Sequence, residues 1–187
     1  GVIGHVVAQI DNTLAAAALL VGRHAMARAD TDIDTLLQLV LADFPPAERQ
    51  RIRVERLTAT RTASMDLSLM RLALRNLLAN ALRHAGAADA VTLRIADSDE
   101  PLALLIDVVD QGPGVPEALR ARLFERGVRG SGSRGQGLGL YIARRALQLH
   151  GGTAELVAGA PGETVFRLVL AQGGDAGPYS TSGALNT

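Results

Sequence analysis

The chain has 187 residues, enough to bury the core of one domain with an appendage. Lys and Arg number 19 against 19 Asp and Glu, so no basic excess offers a footprint for nucleic acid, and 3% aromatic residues leave no stacking platform for single strands. With no cysteine there is no disulfide, thiolate metal site or cysteine nucleophile, which fits a reducing compartment, and the longest apolar run, Leu14 to Val21, is too short to span a bilayer.

Val7, Ile10, Leu14, Ala17, Ala18 and Val21 recur at helical spacing and predict a helix from about Val6 to Ala27. Its apolar stripe has no partner in its own segment and needs another helix, one from a second chain included. Asp30-Thr31-Asp32 starts a second helix that runs to about Asp43 and stops at Pro45-Pro46. Arg51 to Leu57 alternates apolar and charged residues as a half-buried strand does. Asp66 caps a long helix through His84 that ends at Gly86. Met70, Leu74, Leu77, Leu78 and Ala81 form its apolar side, while Asn76, Asn80, Arg83 and His84 gather on a polar stripe.

Val91 to Ile95 and Leu102 to Val109 read as strands joined by an acidic turn around Asp97 to Pro101, and Glu117 to Phe124 as a short helix. Arg126 to Arg134 is a Gly/Arg/Ser loop, and Gly137 to His150 is a helix stopped by Gly151-Gly152. Thr153 to Val157 and Thr164 to Leu170 form a closing hairpin around Gly159 to Gly162. Beyond about Gln172 the Gly, Ser and Thr content predicts a disordered tail. His150, at a helix end, reads as a cap that complements the dipole, and His5 and His24 have no catalytic pattern around them.

Asn76 and Asn80 are four residues apart, so both amides point to one side of the helix. Magnesium carried by ATP takes oxygen ligands and needs only one or two from protein, which makes Asn80 the candidate metal ligand. An isolated asparagine pair reads equally as exposed polar positions, but this pair shares its stripe with Arg83 and His84 and precedes two glycine motifs. Asp110 closes an apolar strand, where its carboxylate can accept from the exocyclic amine of adenine, and Gly112 and Gly114 let the backbone bend close to the ring. Alone, Asp-x-Gly-x-Gly is an ordinary turn.

Gly135, Gly137 and Gly139 alternate before a helix whose first amides, unobstructed by side chains, can face phosphate oxygens. The spacing is neither the dinucleotide fingerprint nor a P-loop. The loop from Arg126 to Arg134 is long enough to act as a lid that brings Arg129 to the terminal phosphate, the alternative being a solvated arginine. Phe124 is either an anchor of that lid or plain core. Together these features point to ATP.

The stretch Asn76-Leu77-Leu78-Ala79-Asn80-Ala81-Leu82-Arg83-His84 resembles the N box of bacterial sensor histidine kinases. Asp110 to Gly114 resembles their first glycine box, Leu123-Phe124-Glu125 their F box, Gly135 to Leu140 their second glycine box, and Gly162 to Phe166 their last motif. The likeness covers roughly Asp32 to Ala171. It implies an α+β fold, a two-layer α/β sandwich with a mixed sheet of about five strands and three main helices on one face. That fold is shared with DNA gyrase, a heat-shock chaperone and a mismatch-repair protein. Residues 1–29 then belong to a dimerisation hairpin, 30–172 to the ATP-binding catalytic domain and 173–187 to the tail.

The resemblance also implies roles. Asp110 accepts the adenine amine with Thr164 nearby through water, Asn80 coordinates magnesium, and Asn76 and Arg83 contact phosphates. His84 stands where tyrosine often lies near the nucleotide, and Arg129 where many members carry a phosphate-contacting arginine. Gly112, Gly114, Phe124, Gly135, Gly137, Leu138, Gly139 and Leu140 complete the implied ATP site. ATP-hydrolysing relatives have glutamate where Asn76 stands, so the likeness favours transfer to a protein side chain over attack by water.

The acceptor histidine of such kinases is not apparent, because His5-Val6-Val7-Ala8-Gln9 lacks the acidic residue expected after it. The chain is thus expected to be the C-terminal part of a larger kinase whose sensor and membrane segments precede Gly1. It is expected to be a cytoplasmic domain of an inner-membrane protein. Its implied partners are its own upstream phosphoacceptor helix in a homodimer and the receiver domain of a response regulator, with no nucleic acid. Two rivals share the motifs: a nucleotide- or partner-binding module without transfer, and an anti-sigma-type serine kinase, against which the helix before Asp30 weighs.

Overall fold

The computed structural model describes residues 25–128 and 137–172, with Ala17 and Leu19 ahead of them. In chain order the elements are β1 (Ala29–Asp32), α1 (Ile33–Ala42), α2 (Pro46–Arg49), β2 (Ile52–Arg56), β3 (Thr62–Met65) and α3 (Leu67–His84). They continue with β4 (Val91–Asp99), β5 (Leu102–Asp110), α4 (Glu117–Arg120), α5 (Gly139–Leu149), β6 (Thr153–Ala160) and β7 (Glu163–Ala171). The main sheet runs β2-β4-β5-β7-β6, parallel between β2 and β4 and antiparallel elsewhere, and β1 pairs with β3 in a separate ribbon.

Period-two alternation decides which face of the sheet is covered. Val91, Leu93 and Ile95 of β4, Leu104, Ile106 and Val108 of β5, and Phe166, Leu168 and Leu170 of β7 are all buried. They meet Leu74, Leu77, Leu78 and Ala81 of α3, Ile142, Ala146 and Leu147 of α5, and Ile33, Leu36 and Val40 of α1 in one apolar cluster. This is the expected two-layer α+β sandwich, a mixed five-stranded sheet under three main helices. The opposite face carries a row of alternating charge across all five strands: Glu55, Arg94, Asp107, Arg167 and Glu155 stand in register. Arg167 grips Asp107 with two parallel bonds of 2.7 and 2.8 Å, and Arg94 reaches Glu55 at 3.2 Å.

Short polar side chains set the helix starts. The Asp32 carboxylate accepts from the Asp34 amide at 2.8 Å, and Asp66 Oδ1 accepts from the Leu69 amide at 3.1 Å, as expected of an N-cap. Asp66 Oδ2 also accepts from the Ala27 amide at 2.9 Å, and Arg28 donates to the Ser64, His150 and Ala171 carbonyls. The segment leading into the domain is therefore tied to β3, the end of α5 and the end of β7.

Several expectations are corrected. The helix predicted to reach Ala27 does not, because Ala25 to Arg28 has given its backbone to the run into β1; Ala17 and Leu19 are helical, and the rest of that helix lies outside the described residues, as do residues 173–187. β1 and β3 escaped notice because four-residue strands are too short to show a period. Helix α4 stops at Arg120, short of Phe124, and residues 121–124 form turns. The acidic turn is narrower than expected, confined to Glu100 and Pro101: Asp97 to Asp99 continues β4, with the Asp97 carboxylate accepting from the Thr58 and Thr60 hydroxyls.

His150 is no exposed cationic cap. It is fully buried, its Nε2 accepts the Asp66 amide at 2.9 Å, and its Nδ1 lies 2.7 Å from the Ala146 carbonyl. A ring nitrogen that accepts an N–H carries no proton, so Nδ1 is the donor, the ring is neutral, and it joins the end of α5 to the start of α3.

Candidate functional site

The C-terminal end of α3 and the C-terminal end of β5 converge. Asp110, the last residue of β5, is 2% exposed, and Thr164, its register partner on β7, is 4% exposed. The Gly112 amide donates to Asp110 Oδ1 at 2.8 Å. A Cβ on Gly112 would lie 2.8 Å from the His84 carbonyl oxygen, so the turn after β5 packs directly on the end of α3. Gly114 has φ +78°, a left-handed conformation that glycine adopts without strain.

Burial pushes the Asp110 carboxyl above the usual aspartate range, because a charge in low dielectric loses its hydration. The Gly112 amide, the nearby positive field of His84 and the Thr164 hydroxyl act in the opposite direction and favour the carboxylate. The result is an acceptor partly stripped of water and held in place by its own turn.

Asn76 and Asn80 are half-buried on α3. Asn76 Nδ2 donates to the Leu72 carbonyl at 2.8 Å, and Oδ1 points toward the start of α5, 3.1 Å from where a Cβ on Gly139 would stand. Asn80 makes no side-chain hydrogen bond to any other described residue, which leaves a hard amide oxygen available to a cation. Arg83 and His84 follow on the same helix and are exposed. Leu138 provides no side-chain cap to α5, so no described side chain caps the amides of the first turn, and Gly139 and Leu140 lead the helix half-buried.

The Gly127 amide donates to the Gly137 carbonyl at 3.1 Å, closing the base of the loop before α5. With φ +67°, Gly137 brings its Cα where a side chain would strike the Val128 carbonyl oxygen at 2.6 Å. Phe124 is half-buried, edge-on to Phe166 with centroids 6.1 Å apart, and the Arg144 guanidinium lies 5.9 Å from its ring centre. It belongs to the core margin. Arg129 and Gly135 lie outside the described residues.

The structure thus brings Asp110, Gly112, Gly114 and Thr164 together at one corner, and Asn76 and Gly139 at another, with α3 running between them. Three neighbours were not anticipated from the sequence: Arg144 against Phe124, and Arg120 with Gly159 beside the Asp110 turn. Arg144 carried no signal in the sequence beyond its place in the helix Gly137 to His150. Gly159 had a turn signal, but its pairing depends on a register shift in β6 between Leu156 and Ala158.

Helices cover one face of the sheet, and the polar groups gather at the strand and helix ends. The family model for histidine kinase-, DNA gyrase B-, and HSP90-like ATPases matches residues 65–173. The chain belongs to this family, and its relatives are sensor histidine kinases. A probable sensor histidine kinase TcrY of Mycobacterium tuberculosis is 42% identical over 100 residues, covering 51% of this chain and 20% of its own length. The sensor protein CzcS of Cupriavidus metallidurans is 31% identical over 149 residues, covering 77% of this chain and 31% of its own. The solved structure of a mycobacterial sensor histidine kinase, MprB, superposes with TM-score 0.65 at 28% identity, covering 77% of this chain and 98% of that one. The chain therefore spans between a fifth and a third of those two curated relatives. Among the described residues no helix is long and apolar enough to cross a membrane.

Proposed function

We propose that this domain binds Mg-ATP and passes the γ-phosphoryl to a histidine on a dimerisation helix of the same protein, for relay to the receiver aspartate of a response regulator. The observation that carries the reading is Asn76. An amide has no useful basicity, and its Nδ2 is committed to Leu72, so the position that would activate water in a hydrolase cannot take a proton here. Phosphoryl transfer needs alignment and charge stabilisation more than a base, and Asn76 can supply alignment.

In this reading Asp110 accepts from the adenine amine, with Thr164 beside it, and the turn Gly112 to Gly114 admits the ring. The uncapped amides of α5 from Gly139, with Gly137, Leu138 and Leu140 around them, receive phosphate oxygens, the roles of Gly135, Arg83 and Arg129 being the same, and His84 flanks the nucleotide. Phe124 supports the lid from the core edge. Asn80 fits magnesium, since its half-buried oxygen is unengaged by the described residues and hard cations take oxygen ligands. Magnesium held there with the phosphates would neutralise their charge.

The domain would lie on the cytoplasmic side of an inner-membrane sensor, the residues before Ala25 continuing a hairpin that pairs in a homodimer. The test mixes this chain with a separately made dimerisation hairpin and γ-labelled ATP. Acid-labile, base-stable label on the hairpin histidine is the expected result. ATP binding without label would leave a nucleotide-binding module, and label on serine would move the reading to a serine kinase.

A further inference from the structure

Asp110 and Thr164 do not stand alone in their row. Thr164 pairs across β5–β7 with Asp110 and across β6–β7 with Gly159, so the three residues form one line over three strands. The register shift between Leu156 and Ala158 brings Gly159 into that line. Its carbonyl oxygen receives two donors: the Val115 amide at 3.0 Å and the Arg120 guanidinium Nη2 at 3.0 Å. Arg120 Nε donates in addition to the Val115 carbonyl at 3.1 Å. One planar guanidinium thus links the irregular segment that follows the Asp110 turn to the β6–β7 hairpin.

The same hairpin touches the turn again. The Gly162 amide donates to the Gly112 carbonyl at 2.8 Å, and a Cβ on Gly114 would strike the Gly159 oxygen at 2.8 Å and the Ala160 carbonyl carbon at 2.7 Å. The turn and the hairpin are therefore in direct contact, and Arg120 is a side chain that clasps them.

We infer that Arg120 is a positioning residue for adenine recognition, holding the Asp110 turn and the Gly159–Thr164 row in mutual register through its two carbonyl contacts. The inference rests on the reading of Asp110 and Thr164 as the base-recognising pair. Arg120 bonds the Val115 and Gly159 carbonyls and none of the groups read as holding phosphate, so its effect should be the same whatever the number of phosphates.

The test compares the chain with R120A and R120K by calorimetric titration with ATP and with ADP, alongside thermal unfolding. One to two lost hydrogen bonds predict a Kd about fivefold higher for R120A, by the same factor for both nucleotides, with Tm unchanged and partial recovery in R120K, which can reach one carbonyl. Unchanged affinity, or a loss confined to ATP, overturns the inference, the latter by making Arg120 a phosphate contact. A parallel fall of Tm and affinity that R120K does not recover also overturns it, as a purely structural role would behave so. If the unaltered chain bound neither nucleotide, the underlying reading would fail on its own terms. Hydrogen exchange of the free chain still tests the clasp: R120A should speed exchange at the Val115 and Gly162 amides and leave α5 protected, and unchanged exchange at both would refute it.

Discussion

Asp110 shows how one buried group sets stability and binding against each other. Its folded pKa is raised, first by burial, so the neutral form is the one that folding favours. The sign follows: the contribution to stability is present below the unfolded value, near 3.8, and is lost as pH rises through the folded pKa. Above the folded pKa the carboxylate is thus held at a cost. Asp110→Asn keeps an acceptor for the Gly112 amide but removes the charge, so the free domain should be as stable as the parent or more stable at pH 7 in urea unfolding, the difference closing in acid. ATP affinity should fall about 100-fold or more in the same variant, since an amide oxygen is the weaker acceptor and its NH2 opposes the adenine amine. Asn80→Ala should leave the fold intact and abolish the magnesium dependence of ATP binding, read by titration with and without the ion.

Between elements, the spacing of α3 from its two neighbours is decided by hydrogen-sized clearances. On Gly112 a methyl would meet Asp110 Oδ1 at 2.7 Å and the His84 carbonyl at 2.8 Å, and the latter is backbone that cannot swing away. Gly112→Ala should therefore destabilise the domain by about 2 kcal/mol, visible in the urea midpoint. Gly139→Ala makes the useful contrast. Its methyl would meet only Asn76 Oδ1, at 3.1 Å, and alanine suits a helix better than glycine. Tm should hold or rise while phosphoryl transfer to the hairpin histidine drops about tenfold, because Asn76 must turn aside. Equal losses of Tm in the two variants would show that the Asn76 contact has no special part.

Across the whole sheet, the row of five alternating charges is unequal in energy because burial is unequal. Asp107 is only 5% exposed under its bidentate arginine, whereas Glu55 and Arg94 stand in solvent. Arg167→Leu should cost about 3 kcal/mol by leaving a buried carboxylate unpaired, and adding Asp107→Leu should restore much of it. Arg94→Ala should cost less than about 0.5 kcal/mol. A denaturation cycle over these variants measures both figures.

What the sequence determined by itself was local or periodic. Caps at Asp32 and Asp66, the apolar side of α3, the alternation in β4, β5 and β7 and the glycine spacings all act within a few residues, so they were legible without knowing the fold. The family likeness added the layer arrangement. Tertiary structure alone decided which groups meet across the chain. His150 looked like an exposed cap until burial and the Asp66 amide, 84 residues away in sequence, made it a neutral joint between two helices. β1 and β3 are strands only because each pairs with the other, and Arg120 reaches Gly159 only because a bulge shifts β6. Pairing partners and desolvation are properties of distant residues brought together, and neither is written at the position that they govern.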